Sequence, residues 1–207
     1  MSQSFRTPYP GYDVLDKWES PSFDDQTREV LRARRDPPPR RFLDPKQFTL
    51  LEALCAVVIP QRRPEPVPIA PFIDAALHAG RGTGTRFATM PPEREAWLRG
   101  LEAIDAEARA AFDGRGFCEL DRPEQARLLR AIDRGDCRAP EAWQEMPPQK
   151  FFRALLLKRI VQIYYSAPAG MSEIGYGGPA SPRGYVRLKA GQIDPWEAPF
   201  GTWEDQA

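Results

Sequence analysis

A chain of 207 residues that is 42% hydrophobic holds enough apolar surface for one good core. Its 29 basic and 29 acidic residues cancel, so the composition indicates neither a nucleic-acid footprint nor an acidic solvating tail. Proline is the outlier: 23 residues, about twice the ordinary share of roughly 5%, clustered at the joints between helices and along two irregular ends.

Residues 1–41 read as an extended arm. Tyr9-Pro10-Gly11-Tyr12 and Trp18-Glu19-Ser20-Pro21 mix turn chemistry with aromatics. Asp24 to Arg35 suits a short charged helix, broken by Asp36-Pro37-Pro38-Pro39. Phe5, Tyr9, Tyr12, Trp18 and Phe23 are too many aromatics for a tail that packs on nothing. Arg40-Arg41-Phe42-Leu43 before the apolar stretch 50–59 has the look of a twin-arginine export signal. Asp44, Lys46 and Glu52 interrupt what must be an uncharged segment, and it is not read as one. No leader is recognised at Met1, and no run reaches the roughly 18–20 apolar residues of a membrane span.

The first strong helix starts at Asp44, with Pro45 at the first turn and Gln47 completing a capping box. Phe48, Leu51, Leu54, Cys55 and Val58 form its stripe, and Pro60 ends it. After a proline-rich linker, Ile69, Phe72, Ile73, Ala76 and Leu77 predict a second helix that Gly80 terminates. The single histidine, His78, sits beside that stripe without companions and is expected at the surface. Arg81-Gly82-Thr83-Gly84-Thr85-Arg86 lacks the strand and the Gly-Lys-Ser/Thr end of a phosphate loop, so it reads as a connecting loop.

The third helix spans about Pro92 to Asp113, with Trp97, Leu101, Ile104, Ala108, Ala111 and Phe112 expected inward. Glu93, Arg94, Arg99, Glu102 and Glu107 are expected outward. Asp105 and Glu107 stand two apart on it and diverge, so they make no catalytic pair. Asp121 and Glu124 form a second capping box, Leu128, Leu129 and Ile132 pack, and Gly135 stops the fourth helix. The fifth follows Pro147-Pro148, its stripe read as Phe152, Leu155, Leu156, Arg159, Ile160 and Ile163, with Phe151 and Tyr164 outside it. Ser166 to Gly170 ends it.

The three cysteines have no CxxC spacing, which argues against a disulfide framework and against zinc. Cys55 and Cys118 are expected to be buried. Cys137, between arginines in Arg134-Gly135-Asp136-Cys137-Arg138, is expected to reach solvent with its thiolate favoured, as a possible reactive thiol. No catalytic triad, dinucleotide fingerprint or metal-ligand set is present in the pattern. The positive features are the aromatic arms and the loop Ile174-Gly175-Tyr176-Gly177-Gly178-Pro179, continuing to Arg183-Gly184-Tyr185. A loop that apolar folds either onto its own core or against another protein. Beyond it, Trp196, Phe200 and Trp203 are scattered in a tail without periodicity.

Phe48-x-x-Leu51-x-x-Leu54 running to Ile59-Pro60, Phe72-Ile73-Asp74, and Gly100-Leu101-x-x-Ile104-Asp105-x-x-Ala108 occur here in a fixed order. Phe117-x-x-Leu120, Glu124-Gln125-x-x-Leu128-Leu129, Tyr164-Tyr165-Ser166-x-Pro168, Ile174 to Pro179 and Arg183-Gly184-Tyr185 continue it. Over residues 42–190 this order resembles the gluconate 2-dehydrogenase subunit 3 family. The resemblance implies a mainly helical, non-catalytic small subunit of a membrane-associated, FAD-dependent sugar or sugar-acid dehydrogenase. It implies that a large subunit of the glucose-methanol-choline type holds FAD and the catalytic residues. A cytochrome c subunit often passes electrons onward. Such small subunits support folding of the large one and usually carry a twin-arginine leader. This chain departs there, with a proline-rich arm in place of a leader. Its own sequence reads as cytoplasmic, and the periplasmic side of the membrane is expected only if a partner carries the signal.

The expectation is therefore an all-α, single-domain accessory subunit of about five helices: arm 1–41, helical domain 42–166, and loop and tail 167–207. Its expected partner surface is Ile174, Gly175, Tyr176, Gly177, Gly178, Pro179, Arg183, Gly184 and Tyr185. No catalytic, cofactor or metal residue is assigned, and FAD is expected in the partner. A helical adaptor unrelated to redox enzymes, or a self-contained helical enzyme with a site near Cys137 or His78, are the alternatives.

Overall fold

The structure is a computed structural model, and it describes residues 7–80, 87–178 and 198. Every regular element among them is helical. The chain divides into two compact units, a helical unit of residues 38–163 and a terminal unit that combines residues 1–37 with 164–207.

The helical unit holds α2 (Pro45–Val58), α3 (Ile69–His78), α4 (Glu93–Ala111) and α5 (Arg122–Arg134), together with most of α6 (residues 148–166). The terminal unit holds α1 (Asp25–Ala33) and α7 (Pro168–Glu173). Both predicted capping boxes form. The Asp44 carboxylate accepts from Gln47 N–H at 2.8 Å, and Gln47 Oε1 accepts from Asp44 N–H at 3.2 Å. Asp121 and Glu124 repeat the exchange at 2.8 and 3.0 Å. Each box satisfies orphan donors of the first turn and fixes where the helix begins. Gly135 closes α5 at φ 83°.

Trp97, Leu101 and Ile104 of α4 are fully buried, with Ile73 of α3, Leu51 and Leu54 of α2, and Ile132 of α5. Phe151 lies at the centre of this core. Its ring meets Trp97 edge to face at 5.7 Å and Trp143 at 6.0 Å. The tip of the ring also meets α4 at Gly100, where a Cβ would come within 2.2 Å of Phe151 Cζ. A residue with any side chain at position 100 would evict Phe151, so the glycine is a packing requirement.

The departures from the periodicity have identifiable causes. Phe151–Leu157 winds as a π-helix inside α6. Its longer turn makes the buried face step Phe151, Leu156, Ile160, Tyr164, the first step being five positions and the others four. A uniform 3.6 period puts Phe151 and Tyr164 off the stripe and places Phe152 and Ile163, both half-buried, on it. Arg159, which that stripe also carries, forms an ion pair with Glu93 at 2.9 Å, where both side chains are about four-fifths buried.

Glu107 is 1% exposed, not outward. Its carboxylate accepts from Arg138 N–H at 2.6 Å, Ala139 N–H at 3.2 Å and Trp143 Nε1–H at 3.0 Å. Ala111, expected inward, is exposed. Asp74 is likewise buried, accepting the N–H groups of Arg41, Phe42 and Leu43 at 2.5 to 3.2 Å. Each carboxylate ties a passing loop to a helix. The hydrogen bonds replace the water that a buried carboxylate would otherwise lack.

Candidate partner surface

In the terminal unit the arm is not extended. A short 3-10 turn (Val14–Lys17), capped by Asp13, leads towards α1, which Asp24 caps and which starts at Asp25. Val14, Phe23, Leu31 and Met171 form a small core, with Tyr12, Leu15 and Trp18 packed on it. Most of the remaining hold comes from side chains on one end of the chain bonding backbone on the other. Thr7 Oγ1 donates to Glu173 O at 2.6 Å, Tyr12 Oη to Tyr176 O at 3.0 Å, and Lys17 Nζ to Gly177 O at 3.3 Å. Arg34 donates to Ser166 O at 2.7 Å, and Ser172 Oγ accepts from Val14 N–H at 3.0 Å. Tyr164 Oη donates to Glu173 at 2.5 Å.

The two glycines of the loop for which space matters most are therefore occupied from within. Gly175, at φ 65°, faces the Tyr9 ring, which a Cβ would meet at 2.6 Å. Gly178, at φ 89°, faces Phe23, at 2.8 Å from such a Cβ. Both positive φ values lie where side chains are strained. The close backbone approach expected of a partner is made by the chain's own aromatics.

What this leaves facing outward is apolar. Ile174 is 44% exposed, Tyr176 42% and Val30 42%. Tyr176 and Val30 border a groove of about 390 Å³ whose floor includes Phe23, Leu31 and Met171. Of the residues expected to meet a partner, Ile174 and Tyr176 present side chains. Gly175, Gly177 and Gly178 support them from behind, and Pro179, Arg183, Gly184 and Tyr185 lie outside the described residues. So do the 81–86 loop and the tail aromatics Trp196, Phe200 and Trp203.

The cysteines only partly follow expectation. Cys55 is buried and its thiol is pushed up to about 12, first by burial and then by Glu52. Cys118 is exposed, a correction with a clear cause. Phe117 takes the inward position of the 3-10 turn Phe117–Glu119. Its N–H bonds Asp105 at 2.9 Å and its carbonyl accepts from Gln125 at 3.0 Å, which turns the next side chain out. Cys137 is half-buried, and its thiol is pushed up to about 12 by burial, by Glu107 and by Asp136. The buried Glu107 outweighs the flanking arginines, so the thiolate is disfavoured there.

His78 is exposed. Among the described residues no group of three or more His, Cys, Asp or Glu is placed to hold a metal ion. Among them, too, no helix is long and apolar enough to cross a membrane. The two buried carboxylates that sequence reading missed, Glu107 and Asp74, are spent on backbone and indole donors. Their signal was present: Glu107 lies three residues after Ile104, and Asp74 three before Leu77, both on apolar faces.

The family model of gluconate 2-dehydrogenase subunit 3 matches residues 45–178, from the first turn of α2 to the Gly178 contact. The chain belongs to the gluconate 2-dehydrogenase subunit 3 family. The match spans nearly all of the helical unit and the α7 side of the terminal unit, including Ile174 and Tyr176. Residues 7–34, which complete the terminal unit here, lie outside it. Membership makes this chain one of the subunit type in a dehydrogenase of several subunits, and so a protein with partners. No curated protein and no solved structure matches the chain.

Proposed function

We propose that this chain is the non-catalytic small subunit that binds and stabilises the FAD-bearing catalytic subunit of a sugar or sugar-acid dehydrogenase such as gluconate 2-dehydrogenase. The observation that carries the reading is the family match over residues 45–178. The exposed apolar pair Ile174 and Tyr176, beside Val30, supports it and is the docking face we assign. Such side chains gain most from a partner that removes them from water. FAD and the reacting groups belong, in this proposal, to the large subunit, with a cytochrome c subunit as the next electron carrier. The compartment follows whichever subunit carries the export signal.

The test is co-expression with a large flavoprotein subunit of the glucose-methanol-choline type from the same source, followed by size exclusion at the flavin absorbance. Co-elution, with flavin lost from the large subunit when this chain is omitted, is the expected result. Ile174→Ser and Tyr176→Ser should each weaken the complex by about 2 kcal/mol, roughly thirtyfold. Separate elution, with flavin retained by the large subunit alone, would overturn the proposal in favour of a helical adaptor.

A further inference from the structure

A second surface, wholly within the helical unit, is built for a different partner chemistry. Between the end of α4 and the outer face of α5 lies a cleft of about 600 Å³. Its floor is apolar, with Phe112 and Leu128 buried. Its rim carries Arg127, Arg134 and Arg138, all exposed. Arg134 is paired with Asp136 at 2.8 Å, and Arg127 shares the field of Glu124, which is itself bonded to Arg115. Among the described residues no carboxylate pairs with the guanidinium of Arg127 or Arg138.

We propose that this cleft binds a carboxylate-rich segment of a protein partner. Arg127 lies over the Phe112 ring, 4.8 Å from its centroid. Stacking holds the guanidinium plane and leaves its N–H edges for a carboxylate. Arg138 is fixed at the backbone, where its N–H donates to the buried Glu107 at 2.6 Å. The Phe112 contact thus places the Arg127 guanidinium before any partner arrives, which reduces the ordering cost of forming forked hydrogen bonds, while Arg138 adds a second exposed charge on a fixed backbone. A concave site with an apolar floor fits a chain segment with interspersed acidic and apolar residues better than the flat face of a bilayer. The zero net charge of the chain offers little to the uniform backbone of a nucleic acid.

The experiment titrates the full chain into a fluorescein-labelled deca-glutamate peptide at low salt and follows anisotropy. Saturable one-to-one binding is expected, weakened by about tenfold or more in Arg127→Gln/Arg138→Gln. Binding should be unchanged in Arg122→Gln, which lies outside the cleft. Circular dichroism checks the fold. If the double variant unfolds, Arg138→Gln alone, which keeps the backbone bond to Glu107, carries the test with the same expected direction. Equal binding by the cleft variants, or no saturable binding, would overturn the proposal. So would arginine-dependent binding to phosphatidylserine vesicles without binding to the peptide. The cleft lies apart from Ile174 and Tyr176 in sequence, so loss of one partner would leave the other assay intact.

Discussion

The two units use opposite means to hold together. The helical unit has long amphipathic helices, capping boxes, and a core in which Trp97, Leu101 and Ile104 follow the sequence period while Phe151, Trp143 and Phe117 enter from a π-turn and two 3-10 turns. Among the described residues the terminal unit has a smaller cluster, Val14, Phe23, Leu31 and Met171, and relies on side chains reaching backbone atoms about 160 residues away. The first kind of stability resides in packed volume, and changes there are felt cooperatively. The second resides in a set of separate polar contacts, each worth about 1 kcal/mol, so it yields piece by piece.

That contrast can be attacked from its strong side first. Gly100→Val should destabilise the helical unit by at least about 3 kcal/mol, because Phe151 has nowhere to go. A urea midpoint close to that of the unaltered protein would show that Phe151 is not the centre of the core. Glu107→Ala strands the N–H groups of Arg138, Ala139 and Trp143 and should cost about 3 kcal/mol in the same assay. Glu107→Gln keeps an acceptor and should recover part of the loss.

In the terminal unit the effects should be smaller and local. Gly178→Val meets Phe23 and an unfavourable φ, at about 1–3 kcal/mol. Hydrogen exchange should quicken at residues 12–23 and 171–177 while α4 amides keep their protection. If α4 loses protection equally, the two units unfold as one. Tyr12→Phe removes one hydrogen bond, about 1 kcal/mol. The pH dependence has a definite sign. Burial, then Asp13 and Asp16, push the Tyr12 hydroxyl up to about 12 from 10.0. Because the folded state favours the protonated phenol, this contribution is whole below pH 10 and disappears as pH rises toward 12. Phenolate absorbance, measured as the difference from Tyr12→Phe, should rise near that upper value. The smallest effect needs no variant. Under limiting iodoacetamide, mass spectrometry should find Cys118 alkylated first, Cys137 later and Cys55 last.

Much of the helical unit was legible because its signals are local. Asp44 with Gln47, Asp121 with Glu124, and Gly135 declare helix ends within a few residues. Failures arose where a distant contact decided the outcome. Glu107 reads as a solvated residue until Trp143, 36 positions on, supplies a donor. The π-turn moves Phe151 onto the buried face, and no 3.6 period can anticipate a change of period. In the partner loop, Ile174 and Tyr176 were readable as apolar residues with little reason to be in a loop. That Tyr9 and Phe23 would fill the space beside Gly175 and Gly178 was not, because neither spacing nor composition pairs residues across the length of a chain.

The wide separation of the terminal unit's halves also has a consequence in time. Thr7 bonds a carbonyl 166 residues downstream. At ribosomal speeds, on the order of ten to thirty seconds pass between the emergence of the two. All the helical unit's residues emerge in that interval, while Trp18, Phe23 and Leu31 wait without the segment that covers them. A nascent chain of this protein thus carries a sticky segment, residues 12–31, while the whole helical unit is made. Any factor that shields that segment should matter most before residue 178 appears and little afterwards.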